Sequence, residues 1–247
     1  MTDGSPRSDR ELIAEFVAIV DRGKATRHKY GRVLEEASAF FARARRTLLT
    51  ARRPDVIRFL AYLGSDERVA ANSHGVLVQK SLGPSSRKAA LCALRAFYRH
   101  CSAMEYLEHD PTLAVETPRV PVRRGLTIGK EALRRFLDAP GRPRCRVQAY
   151  LFVYTAARLA SVAALRWTDV DFVQAVIHFN AKFDLAYTLP MHPNLRDALQ
   201  RWRIEQRGIA SGNDKVAAAL ADERTAYVLL TRNGRPVSKT TLGKQLK

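Results

Sequence analysis

Apolar positions in the first hundred residues recur at helical spacing. In SDRELIAEFVAIV, Leu12, Phe16, Val17 and Val20 share one face, and Ser8 followed by Glu11 has the pattern of a capping box. ATRHKYGRVLEEASAFFARAR continues the period with Tyr30, Leu34, Ala37, Phe41 and Ala44. RRPDVIRFLAYLG predicts a third helix, opened by Pro54 and stopped by Gly64. A fourth starts near Ser85 and runs through SSRKAALCALRAFYRHCSAMEYL. Four helices at this density predict a small bundle over residues 9–110, preceded by a polar, disordered tail at 1–8.

The periodicity then stops. EHDPTLAVETPRVPVRRG carries Pro111, Pro118 and Pro121, and residues 111–125 read as a connector ending in the basic run RVPVRRG. A second domain spans 126–247. LTIGKEALRRFLDAPG predicts a helix with Thr127 as N-cap and Gly141 as stop, and CRVQAYLFVYTA and LASVAALRW predict two more. After Asp169 the period changes: DFVQAVIHF and AYTLPM read as strands joined by NAKFDL. PNLRDALQRWRIEQRG is helical, YVLLT is a short strand before the turn RNG, and VSKTTLGKQLK opens a last helix. No internal repeat is present. The predicted class is mainly α, a helical bundle followed by an α+β domain with a small antiparallel sheet.

Composition adds a partner. Of 247 residues, 42 are Lys or Arg against 24 Asp or Glu, a net charge of +18. The excess is spread over both halves of the chain, which points to a polyanion, most often nucleic acid. Cys92, Cys101 and Cys145 form no CxxC pair and sit in apolar surroundings, as reduced, buried thiols of a cytoplasmic protein do. The six histidines lack metal-ligand spacing, so no metal or other cofactor is expected. The polar N-terminus precedes no signal-peptide core, and no apolar run reaches the roughly 18 residues of a membrane span.

One charge breaks the pattern. In YTAARLASVAALRWTDVDF, Arg158 stands among small and apolar residues, where a guanidinium is costly to bury without a partner. The bland reading is an arginine at a helix end that snorkels to solvent.

Four blocks in this order resemble the tyrosine recombinase (phage-integrase-like) family. They are LGPSSRKAALCALRAFYRHCSAMEYLEHDPTLAVETPRVP, LTIGKEALRRFLDA, TAARLASVAALRWTDVDF and NAKFDLAYTLPM. The family usually shows Thr-Gly-Leu-Arg, three helical positions, then Leu-x-Trp-x-Asp, and later a lysine hairpin ending in Val-Pro-Leu. The resemblance implies a helical core-binding, SAM-like DNA-binding domain, a linker, and an incomplete α+β catalytic domain. At matched positions Arg158 corresponds to the first catalytic arginine. Lys182, eight residues before Pro190, corresponds to the hairpin lysine. A guanidinium suits the doubly hydrogen-bonded oxygens of a phosphorane, and a lysine suits protonation of the leaving 5′ oxygen. Candidate DNA contacts are Arg87, Lys88, Arg95 and Arg99 on the fourth helix, with Arg123 and Arg124 in the linker. Arg87, Lys88 and Arg95 are spaced to share a face.

Departures temper the match. Ala156 replaces the family's Gly, Ser161 replaces a carboxylate that supports the arginine, and Tyr187 replaces a later arginine. No His-x-x-Arg occurs in these 247 residues, and none of the eight tyrosines stands at the nucleophile's place. The expectation is a C-terminally truncated, catalytically inactive relative of site-specific DNA recombinases and integrases, working with further recombinase protomers on DNA. The alternative is a non-catalytic DNA-binding protein that occupies or interferes at recombination sites. A basic scaffold unrelated to DNA is the weakest class.

Overall fold

The computed structural model describes residues 7–20, 23–71, 75–122, 125, 127–138, 142–180 and 186–245. The chain divides into two compact units, Met1–Gly125 and Leu126–Lys247. No helix among the described residues is long and apolar enough to cross a membrane. None of their His, Cys, Asp or Glu side chains groups as a metal site.

Unit 1 holds four helices, α1 (Asp9–Ile19), α2 (Lys24–Ala42), α3 (Arg53–Gly64) and α4 (Pro84–Ala103). Its first helix starts as the pattern predicts: Glu11 N donates to Ser8 Oγ, and Ser8 N donates to Glu11 Oε2 at 2.8 Å. The Glu11 carboxyl accepts from Ser8 N and also from Ser8 Oγ, at 2.8 Å, and these two bonds hold it below its usual range. Ser8 thus caps α1, and Arg7 before it donates to Tyr106 Oη at 2.6 Å. Residues 1–6 lie outside the described residues.

The predicted apolar faces meet in one core, with Leu12, Phe16, Leu34, Phe41, Phe59, Leu94 and Phe97 almost fully buried. Each such side chain contributes about 1.5–3 kcal/mol by leaving water. Phe16 stacks on Tyr30 at 6.2 Å and meets Phe97 edge-on at 5.6 Å. Tyr98, fully buried, is satisfied by donating its hydroxyl to Leu48 O at 2.8 Å. Ala44, by contrast, lies beyond the end of α2 and is exposed.

Between α3 and α4 the chain forms a hairpin absent from the sequence prediction, β1 (Val69–Ala71) with β2 (Leu77–Gln79), antiparallel with Ala70 opposite Val78. Arg68 leads into it and is buried. Its guanidinium donates to both carboxylate oxygens of Glu36 on α2, at 2.7 and 3.1 Å, and to Lys80 O at 2.7 Å.

Unit 2 begins with α5 (Lys130–Asp138), α6 (Pro143–Thr155) and the short α7 (Leu159–Ala163). Thr127 does not cap α5: the first helical bond runs from Leu133 N to Gly129 O. The predicted stop at Gly141 lies outside the described residues. LASVAALRW is not one helix either. After Ala163 the backbone of Leu165 and Trp167 pairs with residues 226–228: Trp167 N donates to Ala226 O at 3.0 Å and Val228 N to Leu165 O at 2.9 Å. These long-range bonds outweigh helix continuation. A 3-10 turn (Trp167–Asp169) follows.

The three-stranded sheet is antiparallel in the order β3 (Val170–Asp171), β4 (Val176–Asn180), β5 (Ala186–Pro190). DFVQAVIHF is thus split by a turn, where Asp171 Oδ1 accepts from Val173 N and Gln174 N. Ile177 and Phe179 point inward and are fully buried. Tyr187 stacks on Phe179 at 5.4 Å, a strand residue packing across its neighbour.

Three more helices complete the unit: α8 (Pro193–Ala210), the unpredicted α9 (Asp214–Leu220) and α10 (Lys239–Gln245). YVLLT makes isolated bridges, Arg166 to Tyr227 and Leu230 to Pro236, not a named strand. Two tryptophans knit α8 to this segment. Trp202 Nε1 donates to Val228 O at 2.7 Å, and Trp167 Nε1 to Gln206 Oε1 at 2.8 Å.

Candidate functional site

Arg158 is placed by a corner between α6 and α7. Thr155 Oγ1 donates back to Leu151 O and accepts from Ala157 N at 3.2 Å, closing α6. Ala156 then takes a left-handed conformation, φ 49° and ψ 21°. Such a backbone favours glycine, which explains physically why a glycine is usual at this position of the resembled motif. Ala157 turns inward and is buried, and Arg158 opens α7 with an extended backbone while its carbonyl accepts from Val162 N at 3.0 Å. The Arg158 side chain is exposed. Among the described residues it makes no hydrogen bond or ion pair. It is neither buried at cost nor neutralised.

Ser161 does not support that guanidinium. Its hydroxyl reaches Asn180 O at 3.4 Å, the last residue of β4. Asn180 pairs with Ala186, so this contact ties α7 to the base of the β4–β5 hairpin. Lys182 belongs to the segment 181–185 between those paired residues and lies outside the described residues. On the other side α10 packs against α7, where Gly243 would place a Cβ 3.7 Å from Leu159 Cδ1.

In unit 1 the candidate contacts separate. Lys88 and Arg99 are exposed on α4 and unpaired among the described residues. Arg87 folds onto the end of α3 instead. Its Nη1 lies 3.0 Å from where a Cβ on Gly64 would be, and its buried Nε lacks a partner. Arg95 donates to Val115 O at 2.7 Å and to Thr117 Oγ1 at 3.1 Å. Arg87, Lys88 and Arg95 therefore do not present one free basic face. Arg123 and Arg124 lie outside the described residues.

The structure adds a basic group that the sequence reading passed over. Lys24, Arg27, His28, Lys29 and Arg32 fall within the first half of α2, and none is ion-paired among the described residues. Lys24, Lys29 and Arg32 border a groove of about 970 Å³ whose floor includes Val33, Leu63 and Leu82. The signal was visible as five basic groups in nine residues of one predicted helix.

The thiols also differ from expectation. Cys101 is buried, and desolvation raises its pKa to about 12. Cys145 is half-buried. Cys92, expected in the interior, is exposed on the same side of α4 as Lys88 and Arg99.

No family model matches the chain. The tyrosine recombinase XerC of Chromohalobacter salexigens is 29% identical over 171 residues, covering 65% of this chain and 56% of that protein. The tyrosine recombinase XerC of a Roseiflexus species is 27% identical over 186 residues, covering 72% and 55%. The chain thus spans about half the length of these curated relatives. In fold it is similar to the Tn1549 transposon integrase in complex with circular intermediate DNA, with a TM-score of 0.67 at 15% identity over 98% of this chain and 76% of that one. It is also similar to a lambda integrase tetramer bound to a Holliday junction, with a TM-score of 0.66 at 14% identity, over 97% and 64%. The mainly helical architecture and the small antiparallel sheet agree with that fold, and in sequence the chain is similar to tyrosine recombinases of the XerC kind.

Proposed function

We propose that the protein acts in site-specific DNA recombination, with both units engaging duplex DNA and unit 2 carrying part of the strand-transfer machinery. The observation that carries this reading is Arg158, an exposed guanidinium free of any described partner, held at a backbone corner tied to the hairpin base. It would donate two hydrogen bonds to the scissile phosphate, strengthening as charge builds on the equatorial oxygens. Lys182 would protonate the leaving 5′ oxygen. Lys88, Arg99 and the basic half of α2 would neutralise backbone phosphates, with Arg123 and Arg124 in the connector adding to them.

Double-stranded DNA and further recombinase protomers are the partners this reading names. Cleavage in the family passes through a tyrosine nucleophile. We further infer that these 247 residues by themselves bind DNA without forming the covalent link, because they hold no His-x-x-Arg. Fluorescence anisotropy on duplex DNA across a salt series tests the binding. Lys88→Ala with Arg99→Ala is expected to lower the slope of log K against log salt by about 0.9 per lost contact, on any sequence. An unchanged slope refutes the assignment of those two residues. A covalent adduct on a suicide substrate carrying the recombination site refutes the inference about chemistry.

A further inference from the structure

The segment after α4 is packed rather than free. Pro111 is buried, Thr112 is 2% exposed and Val115 is 4% exposed within the unit 1 core. Asp110 Oδ1 accepts from both Thr112 N, at 2.7 Å, and Thr112 Oγ1, at 2.6 Å. The far end of the segment is held by Arg95, whose two terminal nitrogens fork to Val115 O and Thr117 Oγ1. Past Thr117 the character changes. Among the described residues, 118–122 make no hydrogen bond or ion pair, and Val122 is 95% exposed.

We propose that Arg95 is a positioning residue: it fixes the point at which the connection between the two units leaves unit 1, at Thr117, and does not contact phosphate. This rests on the reading that both units engage one duplex. A guanidinium spent on a carbonyl and a hydroxyl keeps its charge but loses the freedom to turn toward a phosphate. Releasing it would free Glu116 and Thr117 and leave Val115, packed in the core, as the last anchored residue. The salt slope would not change.

The test uses the full 247-residue chain with Arg95→Ala and Arg95→Lys. Glu-C digestion reads the anchor directly, because Glu116 is exposed between the two residues that Arg95 holds. Cleavage at Glu116 is measured relative to Glu223, exposed in a turn of unit 2. Both variants are expected to open Glu116 several-fold, since a lysine cannot fork to two acceptors. The salt slope of DNA binding is expected to stay constant. The proposal is overturned if Glu116 stays protected in Arg95→Ala. It is also overturned if the slope drops by about 0.9 and Arg95→Lys restores it, which is the signature of a phosphate contact. Wild-type protein that binds no DNA while Arg95→Ala opens Glu116 would sink the DNA reading and leave the anchor standing.

Discussion

Replacing Glu36 with alanine should destabilise unit 1 more than any surface charge change in the chain. Arg68 is only 7% exposed at its side chain, and Glu36 supplies both oxygens that pair with it. With Glu36 gone, the guanidinium keeps one hydrogen bond, to Lys80 O at 2.7 Å. Removing one partner of a buried pair generally costs about 3–5 kcal/mol. Glu36 is 26% exposed, so water partly replaces it, and about 2–3 kcal/mol is the expected loss. Changing both residues, Glu36→Leu with Arg68→Met, leaves no unpaired charge. The double variant should lose no more than about 1 kcal/mol, the net worth of the bond to Lys80. Hydrogen exchange of α2 and of the hairpin in rising urea measures both. Both tryptophans, Trp167 and Trp202, lie in unit 2, so their fluorescence reports the other unit separately. A loss below about 0.5 kcal/mol for Glu36→Ala, with the double variant weaker than the single, would refute the buried-pair argument.

Other changes probe the backbone and the thiols. Ala156→Gly relieves a left-handed alanine and should stabilise unit 2 by about 0.5–1 kcal/mol in urea titrations followed by tryptophan fluorescence; destabilisation would contradict the corner geometry. Gly234 has φ +67°, and a Cβ there would lie 2.1 Å from Lys215 O, so Gly234→Ala should cost about 2–4 kcal/mol by the same assay. Gly208→Ala, in α8 with nothing near its Cβ, is the neutral-to-stabilising control. Iodoacetamide at pH 8 should label Cys92 first and Cys145 more slowly. Cys101, a thiol well below its raised pKa of about 12, should react only on unfolding, as read by peptide mass spectrometry.

Helices with strong periodicity and local start signals were legible in the sequence. The Ser8–Glu11 cap and the apolar faces of α1 to α4 were read from neighbouring residues alone. Elements set by distant partners were not. The split of LASVAALRW depends on backbone bonds to residues about sixty positions away, and the entry to the β1–β2 hairpin is held by Arg68 on Glu36, 32 positions away. The same division holds at the site. Motif spacing picked out Arg158, but the role of Ser161 came from its contact with Asn180. Arg87 and Arg95 looked like free cations because sequence shows charge and spacing, not which carbonyl or glycine a side chain lies against.

The corner at Ala156 has a consequence for how an anion would arrive. Arg158 is aimed by the path of the main chain, not by a carboxylate salt bridge among the described residues. An incoming phosphate would then meet a cation with no ion pair to break first among the described residues, so little of its attraction is lost to displacing a competitor there. Ser161 carries no proton that titrates in water's ordinary range, so acid would not loosen the guanidinium from that side.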